Sequence, residues 1–248
     1  MNDHPAYILR KVRAVDLSPE QTNAMWRCYQ QFVDCPRSAF IRSLAMAEEV
    51  YLCHDSAGGA LHGFEAMRTI TIADGGRKYT VVYTFYADLE QRFRGFNILQ
   101  RIGLRRYCAL RFRHPFRRLY WMFTASTYIS YLLLPHNLTE YWPHPDHRTP
   151  PQALRIMASV VNALGLQGWD ADGGVLRRNN LLHYREGLVS GHADLVSDRF
   201  IRFYSSLNPG QSEGDSLVCL CPLNLRNFLF ALYRMISRDR RTKRQDQR

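Results

Sequence analysis

The chain has 248 residues, of which 46% are hydrophobic and 12% aromatic, a globular composition that excludes a disordered or fibrous protein. Its formal net charge of +11 and isoelectric point near 9.6 favour anionic partners such as nucleotide phosphates, an acidic carrier protein, nucleic acid or a membrane surface. The apolar runs are far shorter than the ~18 residues of a membrane span, and the N-terminus lacks a secretory pattern. The sequence therefore predicts a cytoplasmic protein without a transmembrane segment.

The first third of the chain predicts a strand, two helices and three antiparallel strands. Residues 7–16 can form the first strand. Ser18 is a suitable N-cap for the next helix because Pro19 then takes the first helical position. A second helix is expected over 36–47. The segments EEVYLCHD, LHGFEAMRTITIA and YTVVYTFYADL have strand composition, and the turn DGGRK joins the last two.

A glycine-containing turn follows, where the third of these strands passes into a helix. The stretch FYADLEQRFRGFNILQRIGLRRY contains Arg92, Arg94 and Gly95 at this point. A helix start has unpartnered N–H groups and a positive dipole end, and glycine lets a ligand approach the backbone. Arginine adds bidentate contacts to phosphate. The turn therefore predicts a pyrophosphate site, although Gly95 as a plain turn between solvated arginines stays an alternative.

The remaining elements alternate less regularly. RLYWMFTAS predicts a strand, TYISYLLL a helix, residues 135–150 an ordered loop, and PPQALRIMASVVNALG a helix. Residues 166–198 have no regular pattern. RFIRFYSSL and SLVCLCPL are expected to form a late strand pair, NLRNFLFALYRMI a helix, and 237–248 a disordered basic tail. A single domain over 1–248 accounts for the whole pattern.

This order of elements resembles the Gcn5-related N-acetyltransferase (GNAT) family. The family's pyrophosphate loop has the form Arg/Gln-x-x-Gly-x-Gly/Ala, and this chain has Arg92-x-x-Gly95-x-Asn97, with Asn97 in place of the final small residue. The resemblance implies an α/β (α+β) fold with a central mixed, mostly antiparallel sheet flanked by helices. The segment 135–198 is then an insertion before the last strand pair.

The resemblance also implies a reaction, in which a primary amine attacks a thioester directly. The donor would be acyl-CoA, such as acetyl-CoA, or an acyl-4'-phosphopantetheine on an acidic acyl carrier protein, and the acceptor amine is unspecified. By position, Tyr131 is the expected acid with Tyr128 one turn earlier, and Asp88 or Glu65 is the expected base. The expected donor-binding residues are Arg92, Arg94, Gly95, Phe96, Asn97 and Ile98.

Structural explanations remain open for these residues: packed rings for the tyrosines and strand-end charges for the carboxylates. No metal ligand set is expected, because the histidines near His144 and His147 lie between prolines without a helical frame. The six cysteines are expected to be free thiols. The competing function is a non-catalytic GNAT-like module that binds nucleic acid or a membrane through its basic face. Nucleic acid is disfavoured because RRM, KH and helix-turn-helix patterns are not evident.

The C-terminal helix carries an apolar side that allows two interpretations. Leu225, Phe228, Leu229, Leu232 and Ile236 fall on this side, with arginines flanking or following them. Such a stripe either packs on the protein's own sheet or lies on a membrane surface.

Overall fold

The computed structural model describes residues 6–56, 59–177, 183–184 and 198–246. The helices in this part of the chain are α1 (Pro19–Tyr29), α2 (Arg37–Ala45), α3 (Ile98–Arg113), α4 (Tyr128–Asn137), α5 (Pro151–Ala163), α6 (Arg199–Leu207) and α7 (Leu225–Asp246). The strands are β1 (Tyr7–Arg13), β2 (Val33–Asp34), β3 (Glu49–Asp55), β4 (Leu61–Asp74), β5 (Arg77–Leu89), β6 (Arg118–Ala125), β7 (Trp169–Asp170), β8 (Val175–Leu176), β9 (His183–Tyr184) and β10 (Ser216–Pro222). Among these residues, none of the helices has the length and apolar character to cross a bilayer.

Eight strands form one mixed sheet in the order β1-β3-β4-β5-β6-β10-β8-β7. Neighbouring strands are antiparallel except for β5 and β6, which run parallel. A parallel pair requires a crossover connection, and α3 supplies it. The predicted fold class, a mixed and mostly antiparallel sheet flanked by helices, is confirmed.

Local sequence signals explain several of the element boundaries. The Ser18 hydroxyl accepts a hydrogen bond from the Gln21 N–H (3.2 Å), and the Gln21 side chain accepts one from the Ser18 N–H (2.9 Å). This capping box fixes the start of α1, with Pro19 at its first position. Gly75 and Gly76 both have positive φ, as a two-residue turn requires, and they join β4 to β5.

The helices cover both faces of the sheet. On one face, α1 and α2 pack against β3–β5, and α5, which lies within the predicted insertion 135–198, packs beside them on β5, β6 and β10. On the other face, α3 and the start of α7 cover β3–β6, while α4 and α6 cover β6 and β10. Alternate residues of each strand therefore pack into two separate cores, one on each face of the sheet.

The strand predicted over 199–207 is wrong, because this segment forms α6. Asp198 caps the helix by accepting from the Phe200 N–H at 2.7 Å. Ile201 and Tyr204 then fall on one helical face and are buried, and Tyr204 packs in the core that α6 forms with α4 and the sheet. The last full strand, β10, pairs instead with β6 and with the short β8.

The prediction of a disordered tail over 237–248 is also wrong for the part that the structure describes. α7 continues as one helix to Asp246. Contacts of Arg238 and Asp239 with distant segments hold this half of the helix in place.

Candidate active site

The parallel strands β5 and β6 separate near the middle of the sheet. Their pairing ends with Thr84 opposite Phe123, whereas β5 continues to Leu89 in its ladder with β4. The β4–β5 register shifts at the same level and leaves Phe85 as an extra residue, a β-bulge that adds local twist. Within the described residues, the β6-facing edge of β5 is without a partner strand over 85–89. The sheet therefore has a cleft at this position.

A cavity of about 130 Å³ lies beside the cleft, on the face covered by α3, α4 and α7. Its wall is mainly apolar, with contributions from the sheet and all three helices. The apolar lining includes Met67, Val82, Leu104, Trp121, Leu133 and Phe228. Glu65, Thr84 and Asn137 are among its polar residues, and of the described residues that line it Glu65 is the one with a carboxyl group.

Glu65 is the buried acid of this cavity. Its side chain projects from β4 and only 5% of the residue is exposed. Burial raises the pKa of the Glu65 carboxyl to about 8, and a hydrogen bond with Thr84 opposes this shift. Thr84 Oγ1 in turn accepts a hydrogen bond from Trp121 Nε1 at 3.0 Å. Oε2 of Glu65 is buried without a hydrogen-bond partner, so the neutral carboxyl retains capacity for a ligand.

Asp88 lies at the same level of the sheet but on the opposite face. It stands opposite Phe64, which packs in the α1–α2 core, whereas Glu65 stands opposite Ala87 on the cavity side. Desolvation raises the pKa of Asp88 to about 7, against the opposing charge of Arg94. The two predicted bases are therefore separated by the sheet itself and border the cleft from its two sides.

The predicted phosphate turn has the backbone of a tight, glycine-dependent turn. Gly95 has φ +90° and Asn97 has φ +57°, a conformation that favours glycine and is tolerated by asparagine. Phe93 is buried under the turn, and Ile98 begins α3 as a buried residue. Phe96 is partly buried against the same core.

The two arginines of the motif contact the protein away from the start of α3. Arg92 lies over the Phe93 ring and contacts Glu90 and the His62 imidazole. Arg94 donates from Nε to the Leu89 carbonyl at 2.9 Å. Their assignment to a donor's phosphates stays a prediction, and it requires both side chains to rotate.

In this structure α7 lies over the turn and over the cavity. The Asn97 amide donates to Asp239 Oδ1 at 2.7 Å, and Arg101 forms an ion pair with the same carboxylate at 2.8 Å. Arg234 and Arg238 donate to the His136 carbonyl in the last turn of α4. An acidic side chain thus faces the positive end of α3, and basic ones face the negative end of α4.

The predicted acids on α4 lie outside the cavity lining. Tyr131 is fully buried, and its hydroxyl donates to the Pro143 carbonyl at 3.0 Å. Burial raises the pKa of Tyr131 well above its ordinary value. Tyr128 packs at the edge of the same α4–α6 core. From α4, Leu133 and Asn137 reach the cavity instead.

The residues around Glu65 include several that the sequence did not single out. Thr84 and Trp121 form the hydrogen-bonded chain to Glu65, and Asn137 lines the far wall. For Thr84, the sequence pattern that could have indicated a site residue is a polar side chain within the mostly apolar strand YTVVYTF. For Trp121 the sequence contains no such indication, because a tryptophan in a strand is usually a packing residue.

The histidine-rich loop and the cysteines offer little for metal binding. The rings of His144 and His147 stack at 4.8 Å. Across the described ranges, groups of three or more His, Cys, Asp or Glu arranged to hold a metal ion are not found. All six cysteines are free thiols.

Comparisons with known proteins give a likeness of fold at low similarity. Neither a family model nor a curated protein sequence matches the chain. Among solved structures, a probable N-acyltransferase of Enterococcus faecalis is 13% identical over 54% of this chain, with a TM-score of 0.38, and this chain spans only 33% of its length. The GNAT family N-acetyltransferase YhbS of Escherichia coli, solved in complex with CoA, is 11% identical over 56% of this chain and 76% of its own, with a TM-score of 0.37.

FeeM, an N-acyl amino acid synthase from uncultured soil microbes, has a similar identity, coverage and TM-score. It is 11% identical over 55% of this chain and 80% of its own, with a TM-score of 0.37. At this level the likeness carries no functional argument. The arrangement of β1 and β3–β6, with α3 crossing between a parallel pair that separates, is GNAT-like by its own geometry.

Proposed function

We propose that the protein is an acyltransferase that moves an acyl group from a thioester donor to a primary amine. The observation that carries the proposal is the cleft between β5 and β6, bordered on opposite faces by Glu65 and Asp88. Perturbed carboxyl groups of this kind are typical of sites that transfer protons near neutral pH.

The donor that suits this cleft is an acyl-4'-phosphopantetheine, carried by CoA or by an acyl carrier protein. Its extended arm contains amides, which can hydrogen-bond to the free edge of β5 as an added strand would. The apolar cavity beside the cleft suits an aliphatic acyl group. The charge of +11 suits either the phosphates of CoA or an acidic carrier.

The two carboxyl groups take complementary roles in this proposal. The amine nitrogen forms a bond to the thioester carbonyl carbon and gives its proton to Asp88, and the carbon–sulfur bond breaks as Glu65 protonates the sulfur. Glu65 suits the acid because, with a pKa of about 8, it is mostly protonated at neutral pH. Tyr131 stays the alternative acid, but its hydroxyl must leave Pro143 to act.

The test is a search for acyl transfer with defined donors. The protein is incubated with acetyl-, octanoyl- and palmitoyl-CoA, or acyl carrier protein, and a panel of primary amines, and the N-acyl product is measured by mass spectrometry. Product formation that falls at least tenfold in Glu65→Gln but persists in Glu213→Gln, an exposed carboxylate, supports the proposal. Absence of product from every donor, together with unchanged melting temperature in acyl-CoA, would overturn it. Loss in Tyr131→Phe but not in Glu65→Gln would reassign the acid.

A non-catalytic binding module remains a second candidate because α7 covers the predicted phosphate turn. Asp239 occupies the position at the start of α3 where a donor phosphate would be expected. A module of this type would leave CoA unbound, so a melting temperature that does not respond to CoA would favour it.

A further inference from the structure

Two phenylalanines are almost fully exposed where α3 ends. Phe112 is 92% exposed and Phe116 is 98% exposed. Scattered exposed apolar residues are ordinary in proteins, but two neighbouring aromatic rings with almost no protein contact are a distinct feature. They lie at the end of α3 and in the short connection to β6, so they form a projecting tip.

A second exposed apolar group lies along the outer side of α7. Leu225, Leu229, Tyr233 and Ile236 are spaced by four, four and three residues, which places them on one helical face. Leu225 is 63% and Tyr233 is 65% exposed. The inner side of α7 already packs on the protein through residues such as Asn227 and Phe228, so this outer stripe is additional to the core. The two interpretations of the apolar C-terminal helix therefore apply to different sides of it.

The tip and the stripe belong to one face of the molecule because α3 and α7 run antiparallel, side by side. Tyr107 of α3 stacks on Phe228 in the first turn of α7 at 4.8 Å, whereas Arg101 near the start of α3 pairs with Asp239 farther along α7. Arg111 donates to the Leu223 carbonyl at 3.2 Å, so the end of α3 meets the start of α7. The Phe112 tip therefore adjoins the Leu225 end of the stripe.

Arginine dominates the charge of this face. The segments 98–118 and 222–238 contain ten arginines and neither Asp nor Glu. The exposed members are Arg105, Arg113, Arg118 and Arg226. Basic side chains around inserted aromatic and aliphatic ones are the combination that binds an interface carrying negative charge.

We propose that this face, formed by the Phe112–Phe116 tip and the outer stripe of α7, binds the surface of an anionic membrane. The two phenylalanines enter the boundary between headgroups and acyl chains, α7 lies parallel to the surface, and the arginines contact lipid phosphates. A second copy of the chain is a poor occupant because two such arginine-rich faces repel each other. Nucleic acid would engage the arginines but leave the aliphatic stripe in water. This proposal does not depend on acyl transfer.

The experiment is co-sedimentation of the full chain with vesicles of phosphatidylcholine alone or with about one third phosphatidylglycerol, at low and physiological salt. We expect binding to the anionic vesicles and at least tenfold weaker binding to the neutral ones. The double variant Phe112→Ser/Phe116→Ser should lower vesicle binding about tenfold at either salt concentration. Serine gains little free energy on leaving water for the lipid boundary, whereas a phenylalanine ring gains much more. Arg113→Glu/Arg118→Glu should lower it most at low salt.

Matched controls come from elsewhere on the surface. Val15→Ser removes a side chain that is 82% exposed, and Arg42→Glu reverses an exposed charge on α2, across the sheet. Both should bind vesicles as the parent does. Equal binding of the parent and the double phenylalanine variant would overturn the proposal. The proposal would also be overturned if Val15→Ser or Arg42→Glu lowered vesicle binding as strongly as the phenylalanine or arginine variants do. It would equally be overturned if immobilised polyglutamate retained the protein and vesicles did not.

Discussion

Glu65 and Asp88 lie on paired strands, one register position apart, but they meet different surroundings. Glu65 faces an apolar cavity with Thr84 as its polar neighbour, whereas Asp88 remains partly exposed near a guanidinium. Two carboxyl groups whose pKa values are shifted to different extents can act as acid and base in the same pH range.

The rate of acyl transfer is expected to depend on pH through both groups. Asp88 must be ionised to accept a proton, so kcat/KM should rise as the pH passes its pKa of about 7. Glu65 must be protonated to donate, so kcat/KM should fall as the pH exceeds its pKa of about 8. The measurement is a pH–rate profile with an acceptor amine that does not titrate in this range. Asp88→Asn should remove the rising limb and Glu65→Gln the falling one, while a profile unchanged in both variants would contradict the roles.

The stability of the fold should also report on Glu65. Its pKa is raised from 4.5 to about 8 in the folded state, so the folded chain binds a proton that the unfolded chain releases above pH 4.5. The resulting stabilisation is complete below pH 4.5 and is lost as the pH rises to about 8. At 1.36 kcal/mol per pKa unit this shift amounts to roughly 5 kcal/mol as an upper value.

Glu65→Gln removes this titration while keeping the shape of the side chain. Its melting temperature relative to the parent should therefore increase from about pH 5 to about pH 8.5, by several degrees. Differential scanning calorimetry measures the difference, and Glu213→Gln serves as the control. A constant offset between variant and parent at all pH values would show that Glu65 ionises normally.

At the scale of elements, α7 is attached to the rest of the molecule at its start and again at Asp239, beyond its middle. At its start, the buried Asn227 side chain accepts from Thr139 and Glu140 and donates to the Pro222 carbonyl. Further along, Asp239 contacts the beginning of α3. The first attachment is buried, whereas the second is partly exposed and therefore weaker.

Removing the charge at Asp239 should release the distal half of α7. Asp239→Asn loses the ion pair with Arg101 and the favourable interaction with the α3 dipole. We expect backbone amides from about residue 234 onward to exchange about tenfold faster, with little change in melting temperature. Hydrogen exchange with mass spectrometry measures this, with Arg240→Ala, an exposed neighbour, as the control. Unchanged exchange in Asp239→Asn would show that apolar contacts alone hold this half.

The sequence predicts elements where the decisive signals are local. α1 follows from Ser18 and Pro19, and the β4–β5 hairpin from its two glycines. For α6 the sequence predicts a strand, because a nine-residue segment with aromatic and β-branched residues fits either state and its helix depends on packing against α4. The helical tail depends on Asp239 meeting Asn97, which is 142 residues away. Local composition cannot reveal such a pairing.

The candidate site likewise combines residues that the sequence predicts with an arrangement that depends on contacts between distant segments. Glu65 and Asp88 were proposed because of the family resemblance, and their opposite orientation follows from strand register that only the structure supplies. Phe64, Glu65 and Ala66 are all buried, so alternation of polar and apolar residues could not show which side Glu65 faces. The covering of the turn by α7 likewise arises from contacts between distant segments.

At the scale of the whole molecule, the packing of both sheet faces determines which thiols react. Cys28, Cys53, Cys219 and Cys221 are buried, Cys35 is partly buried and Cys108 is exposed on α3. Burial also raises the pKa of Cys28 to about 12 and that of Cys53 to about 11, which lowers their thiolate content further.

A thiol reagent should therefore distinguish the native fold from an open one. We expect one fast-reacting thiol in the native protein, a slower second one, and six after denaturation. Cys108→Ser should abolish the fast phase. Rapid reaction of three or more thiols in the native protein would mean that one of the two cores is open in solution.

The placement of α7 over both the turn and the cavity has a consequence for the time course of binding. A donor whose phosphates bind at the turn and whose acyl group enters the cavity can do so only after α7 has moved, so opening precedes binding. In stopped-flow mixing, the observed rate constant should then level off at high donor concentration, at the opening rate of the helix. Asp239→Asn should raise that plateau, and the donor would bind more tightly because less free energy is spent on opening.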